Sequence, residues 1–383
     1  MLSDLSVNTH QDSPSLALDR QLSFSEYIAK SQMMIANRRV DLNNRSVSAQ
    51  HIIETNSPFE LRPPSGKKTT HGALLIHGLL DCPFSLRNVA ESLQANGVLC
   101  RAILLPGHGT SPQDLLTVSY QDWIQAVRYG FESLQQEVDH IYLIGYSTGA
   151  ALSVYQALQD ASISGVVLLS PAIRIKAPIG IAVAWQKLTK LMGKPHKQWM
   201  YREKEIDYAK YQSIPFNSIT QVAALTNVIH EHRRQKTLNM PVYMVVSRED
   251  ETISSHRAID FFSNLHHQSS RLLLYTSIEH RYPDKRIITR LANYPAVPIK
   301  HYSHVSIPFA PSNPHYGEQG DYPNISYPFT DKKIYGAYNR IELNILNTLH
   351  TLGLTRYKRG GLTYNPDFDF MMEEIVNFIL HNA

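Results

Sequence analysis

Two cysteines in 383 residues, Cys82 and Cys100, are too few for a disulfide framework, so stability must come from a packed core. Long apolar runs are also missing: no stretch approaches the ~20 residues that cross a bilayer. The first twenty residues are polar, with Asp4, Asp12 and Asp19, and lack the basic-then-apolar order of a secretory signal. The expectation is a cytoplasmic protein. Charge of one sign is scarce too. Lys and Arg number 37 against 33 Asp and Glu, a net charge of +4, and the basic residues are scattered, with pairs such as Lys67-Lys68 and Arg233-Arg234. That distribution argues against nucleic acid as a partner. What is present is 43% hydrophobic residue, enough at this length for one large domain with an insertion or for two domains.

A helix is expected over 23–38, with Phe24, Ile28 and Met33 among its apolar positions. Residues 57–64 read as extended, because Pro58, Pro63 and Pro64 push their predecessors out of the helical region. Short apolar runs then alternate with helical patterns. Strands are expected at 72–77, 98–105, 140–145, 165–169, 242–246 and 271–275. In the first helix between them Leu86, Val89, Ala90 and Leu93 share a face and Gly97 marks the end. Further helices are expected at 123–137 and 150–158. The alternation implies an α/β class with a mostly parallel sheet covered on both faces.

The rhythm breaks twice. Residues 174–239 show no core strand, and Ile181, Trp185, Leu188 and Met192 fall on one helical face, the pattern of an inserted cap. Residues 293–339 are dense in Pro, Tyr, Asn and His and read as a long loop, functional or disordered. Two helices close the chain, one with Ile341, Ile345, Leu349 and Leu352, the other with Phe368, Met372, Ile375 and Ile379. The resulting division is an N-terminal extension (1–70), a core (71–173 and 240–383) and a helical cap (174–239).

Gly145-Tyr146-Ser147-Thr148-Gly149 matches G-x-S-x-G. The bare match is weak, since glycine and serine are common. Its context is specific: an apolar strand runs into it and a small-residue helix runs out, the arrangement of a nucleophile elbow with Ser147 at its tip. An oxyanion formed there needs two backbone N–H groups. Thr148, next to the nucleophile, offers one, and Leu79 in the loop His77-Gly78-Leu79-Leu80 offers the other. His77 itself reads as a brace for that loop. His108 has no second His or Cys at ligand spacing, so it reads as structural and no metal is expected.

Three motifs taken together are more telling. The stretch from His77 to Arg87, then Leu105-Pro106-Gly107-His108-Gly109-Thr110, then the elbow, resemble the monoacylglycerol-lipase and carboxylesterase branch of the α/β-hydrolase fold. The resemblance covers about 72–169 and returns near Val242. It implies an acid after the sixth conserved strand, an Asp followed three positions later by Val or Ile. Asp250 with Ile253 fits, and Glu249 is its rival in an acidic turn that also holds Glu251. It also implies a His soon after the last strand. His280 is the nearest in sequence, while His304 has the Ser-His-apolar setting, which makes 278–301 an insertion. His301 and His315 complete the candidates.

The activity implied is hydrolysis of a small-molecule acyl ester through a Ser-His-Asp triad and an acyl-enzyme, without cofactor or stable partner. A transient contact with a lipid surface falls to the cap, whose apolar stripe favours medium or long acyl chains. The same triad serves acyl transfer or amide cleavage, and an inactive homologue serves as a binding module. Serine rather than aspartate at the elbow disfavours haloalkane and epoxide chemistry.

Overall fold

The computed structural model of the chain describes residues 22–43, 47–64, 69–174, 198–292, 299, 301–322 and 362–382. At its centre is an eight-stranded sheet of β1 (Phe59–Leu61), β2 (His71–Ile76), β3 (Leu99–Ile103), β4 (His140–Tyr146), β5 (Ile163–Leu169), β8 (Val242–Ser247), β9 (Arg271–Thr276) and β10 (Ile287–Leu291). The order is β1-β3-β2-β4-β5-β8-β9-β10. β1 runs antiparallel to β3, and the other pairings are parallel. β6 (Trp199–Tyr201) and β7 (Ile214–Pro215) form a separate antiparallel ribbon. This is the α/β-hydrolase architecture.

The central strands are apolar on both faces because both are covered. Leu74, Ile76, Leu143, Val166 and Leu168 point into one core. There they meet α4 (Tyr120–Gln135), α5 (Thr148–Gln159), α6 (Phe216–Arg233) and α7 (Ser255–Ser263), together with α1 (Phe24–Arg38). Ala73, Leu75, Ile144 and Val167 point the other way, towards α2 (Ala49–Asn56), α3 (Arg87–Ala95) and α8 (Phe368–His381). Helix starts follow local chemistry. Ser23 with Glu26 and Ser119 with Asp122 form capping boxes at α1 and α4. The helix expected from Leu86 begins instead as a 3₁₀ turn at Pro83–Leu86, and Gly97 (φ +87°) stops α3's continuation.

Three findings go beyond the sequence expectation. β10 was not expected; it is a half-exposed edge strand, so it lacks the continuous apolar run of the central strands. β1, inside the N-terminal extension, is part of the main sheet. Residues 301–322, within the expected long loop, are packed: Tyr302, Ile307, Phe309 and Tyr316 are buried, and the rings of Phe309 and Tyr316 meet at 4.4 Å. The cap stripe Ile181, Trp185, Leu188 and Met192 and the helix expected over 341–352 lie outside the described residues. Among the described residues, no helix is long and apolar enough to cross a membrane.

Candidate active site

β4 ends at Tyr146 and α5 starts at Thr148, which leaves Ser147 alone in the turn with φ +54° and ψ −111°. A side-chain-bearing residue avoids this region unless its surroundings impose it. Here the Ser147 N–H donates to the Leu169 carbonyl (2.9 Å), and the Ser147 carbonyl accepts the Ala172 N–H (3.1 Å). The motif glycines follow from how closely α5 passes the sheet. A Cβ on Gly149 would sit 1.9 Å from the Ile76 carbonyl oxygen, and one on Gly145 would sit 2.4 Å from the Ala150 backbone.

His304 opens a 3₁₀ turn at His304–Ser306 and is buried. Its Nε2 lies 3.0 Å from Ser147 Oγ and its Nδ1 lies 2.8 Å from Asp250 Oδ2. A carboxylate only accepts, so Nδ1 carries the proton and the Nε2 lone pair faces the serine hydroxyl. Asp250 follows β8, and its Oδ1 accepts the N–H groups of Thr252 and Ile253, each at 2.8 Å. The Asp-to-apolar spacing is thus a tight turn that locks the carboxylate. Glu249 faces elsewhere: its Oε1 accepts the N–H and hydroxyl of Ser277.

The other candidate histidines have different partners. His280 is exposed and packs on Tyr282 (4.7 Å). His301 turns Nδ1 towards the Tyr302 carbonyl (3.4 Å). His315 lies between Asp207 (2.9 Å) and Asp321. Burial opposes its charge, yet the hydrogen bonds to these two carboxylates raise its pKa to about 9.

The loop after β2 passes against the nucleophile, where a Cβ on Gly78 would come within 3.2 Å of Ser147 Cβ. Leu79 is the next residue. Thr148, the first residue of α5, has an N–H with no acceptor inside the helix. Two histidines lock this loop reciprocally. His77 Nε2 accepts the Leu105 N–H (3.0 Å), and His108 Nε2 accepts the Leu80 N–H (3.1 Å). Each Nδ1–H therefore donates to a carbonyl, that of Gly78 (2.8 Å) or Leu105 (3.1 Å). Burial lowers His108 to about 4 and His77 well below its ordinary value, which keeps both rings neutral acceptors. Asp81, in the same loop, is pushed up to about 6 by burial. Among the described residues, no group of His, Cys, Asp or Glu is arranged to hold a metal ion.

Sequence reading missed the supports around this loop. The Tyr211 N–H donates to the Leu80 carbonyl (2.8 Å), and Asp207 accepts from both His315 and the Tyr316 hydroxyl (2.6 Å). No spacing rule links Asp207 to His315, 108 residues apart.

The serine aminopeptidase S33 family (Hydrolase_4) matches residues 69–283. The chain is 26% identical over 194 residues to the thermostable monoacylglycerol lipase of Bacillus sp. (strain H-257), covering 51% of this chain and 76% of that one. It is 25% identical over 234 residues to a carboxylesterase of Bacillus subtilis (strain 168), covering 60% and 89%. A solved structure of Paleococcus ferrophilus monoacylglycerol lipase is similar with a TM-score of 0.47 and 19% identity, covering 57% of this chain and 88% of that one.

Proposed function

The chain belongs to the serine aminopeptidase S33 (Hydrolase_4) family and is an α/β-hydrolase of the lipase and esterase kind, and on that premise we propose that it cleaves carboxylic esters through Ser147, His304 and Asp250. The observation that carries this reading is the continuous contact from Ser147 Oγ through His304 to Asp250, at 3.0 and 2.8 Å, with Ser147 held at positive φ. Ser147 Oγ attacks the ester carbonyl carbon as its proton passes to His304 Nε2. Asp250 keeps the ring in the required tautomer and stabilises the imidazolium. The oxyanion accepts the N–H groups of Leu79 and Thr148. His304 gives its proton to the departing alkoxide, and the alcohol leaves. Water then attacks the acyl-enzyme with His304 again as base, releasing the acid and Ser147.

In the same proposal, residues 174–239 cap a core of 71–173 and 240–383, to which the first seventy residues add β1. The substrate is a small-molecule acyl ester, in line with the monoacylglycerol lipase and carboxylesterase relatives. The family description favours one second reading, amide cleavage. Purified protein assayed on p-nitrophenyl esters from acetyl to dodecanoyl and on aminoacyl p-nitroanilides separates the two. Ester turnover that Ser147→Ala abolishes is the expected result. Faster turnover of the anilides would assign an amidase.

A further inference from the structure

The chain forms β10 and several turns between the end of β9 at Thr276 and His304. A base delivered on so long a connection needs its main chain held, because a misplacement of about 1 Å costs on the order of 100-fold in rate. Three contacts supply that hold. The Ser247 hydroxyl, at the end of β8, donates to the Tyr302 carbonyl (2.7 Å). The Tyr146 hydroxyl, from the residue before the nucleophile, donates to the His304 carbonyl (3.3 Å). The His304 N–H donates to both carboxylate oxygens of Glu251, at 3.2 and 3.1 Å.

Glu251 follows Asp250 directly, so one turn grips His304 twice: Asp250 takes the imidazole and Glu251 takes the backbone. We propose that Glu251 is a positioning residue of the site, whose carboxylate fixes the His304 main chain so that both ring nitrogens keep their partners. The inference rests on the assignment of Ser147, His304 and Asp250 above. It differs from the plain reading of 249–251 as a solvated acidic turn. Glu251 is an exposed residue, yet both of its carboxylate oxygens accept the N–H of one buried residue. Tyr146 completes the clamp as a donor, because burial pushes its phenol well above the ordinary value and keeps it protonated.

The test compares Glu251→Ala, Glu251→Gln, Ser147→Ala and His304→Ala on one p-nitrophenyl ester, with thermal melting of each variant. Acylation and deacylation both use His304, so displacing it lowers kcat whichever step limits. Glu251→Ala should lower kcat about five- to tenfold, the size of one ordinary net hydrogen bond at this exposed carboxylate, with KM changed less than about twofold. Glu251→Gln keeps an acceptor oxygen on the same stem and should recover most of the lost kcat. Three results overturn the proposal: wild-type kcat in Glu251→Ala, a rise in KM alone, or Glu251→Gln as slow as Glu251→Ala. If Glu251→Ala does not fold, the Gln variant decides: near-wild-type kcat supports the clamp, and an Ala-sized loss with an unchanged melting temperature refutes it. Inactive Ser147→Ala and His304→Ala beside a wild-type Glu251→Ala would remove the clamp alone. Active Ser147→Ala or His304→Ala would instead remove the site assignment on which it rests.

Discussion

Raising the pH should unlock the contact between Asp207 and His315. Both side chains are fully buried, with His315 Nε2 at 2.9 Å from Asp207 Oδ1 and its Nδ1 on Asp321. Burial alone would lower the imidazole's proton affinity, but the two carboxylates more than offset this and raise the pKa from 6.5 to about 9. Burial likewise opposes the charge on Asp207, and the hydrogen bonds from His315 and Tyr316 leave it below its ordinary value. Each tenfold in proton affinity is ~1.4 kcal/mol, so the rise on His315 links roughly 3 kcal/mol of folding stability to its proton. A raised pKa gives stability that is whole below pH 6.5 and lost as the pH climbs through 9. The assay is urea unfolding of wild type and His315→Gln at intervals from pH 6 to pH 10. Groups common to both proteins cancel, and wild type should lose about 3 kcal/mol more than the variant across that range. Parallel stability curves for the two proteins would refute the charged pair.

Asp81 should behave in the opposite way. Burial raises its carboxyl to about 6 from 3.8, so its ionisation opposes folding, and Asp81→Asn should gain stability over wild type as the pH rises from 4 to 7, by up to about 3 kcal/mol in urea melts. An advantage independent of pH would contradict this. Gly149→Ala should lose about 3 kcal/mol or more and all activity, because its Cβ has nowhere to go beside the Ile76 carbonyl; a folded, active variant would mean that α5 can shift away from β2. His304→Ala should lose several orders of magnitude in kcat on p-nitrophenyl esters while His280→Ala keeps wild-type rates, and the reverse pattern would move the base to His280.

The parts of this molecule legible in the sequence are those whose causes are local. The strands β2, β3, β4, β5, β8 and β9 show as apolar runs because both faces of each are covered, whereas β10, with Arg290 and an exposed Leu291 at the sheet edge, has no such run. The elbow shows because strand, turn and helix follow one another directly in the chain, although Gly149 answers to the distant Ile76 carbonyl and only Gly145 to the neighbouring Ala150 backbone. The three-residue spacing from Asp250 to Ile253 shows because the carboxylate accepts that residue's N–H. Contacts across long separations leave no spacing signal. His304 meets Ser147 across 157 residues, and β10 lies within the stretch that made His280 the nearer candidate in sequence. The grip of Glu251 on the His304 backbone, the Asp207–His315 pair and the Tyr211 bond to Leu80 depend on tertiary packing alone.

The most direct measurement of the central claim is covalent capture of the nucleophile. Wild-type protein treated with a fluorophosphonate probe, digested and analysed by mass spectrometry should carry a single phosphonyl adduct on Ser147. Labelling should vanish in Ser147→Ala and slow by orders of magnitude in His304→Ala. Wild-type protein that stays unlabelled, or carries its adduct on another residue, would contradict the assignment of Ser147 as the nucleophile of an ester-cleaving site.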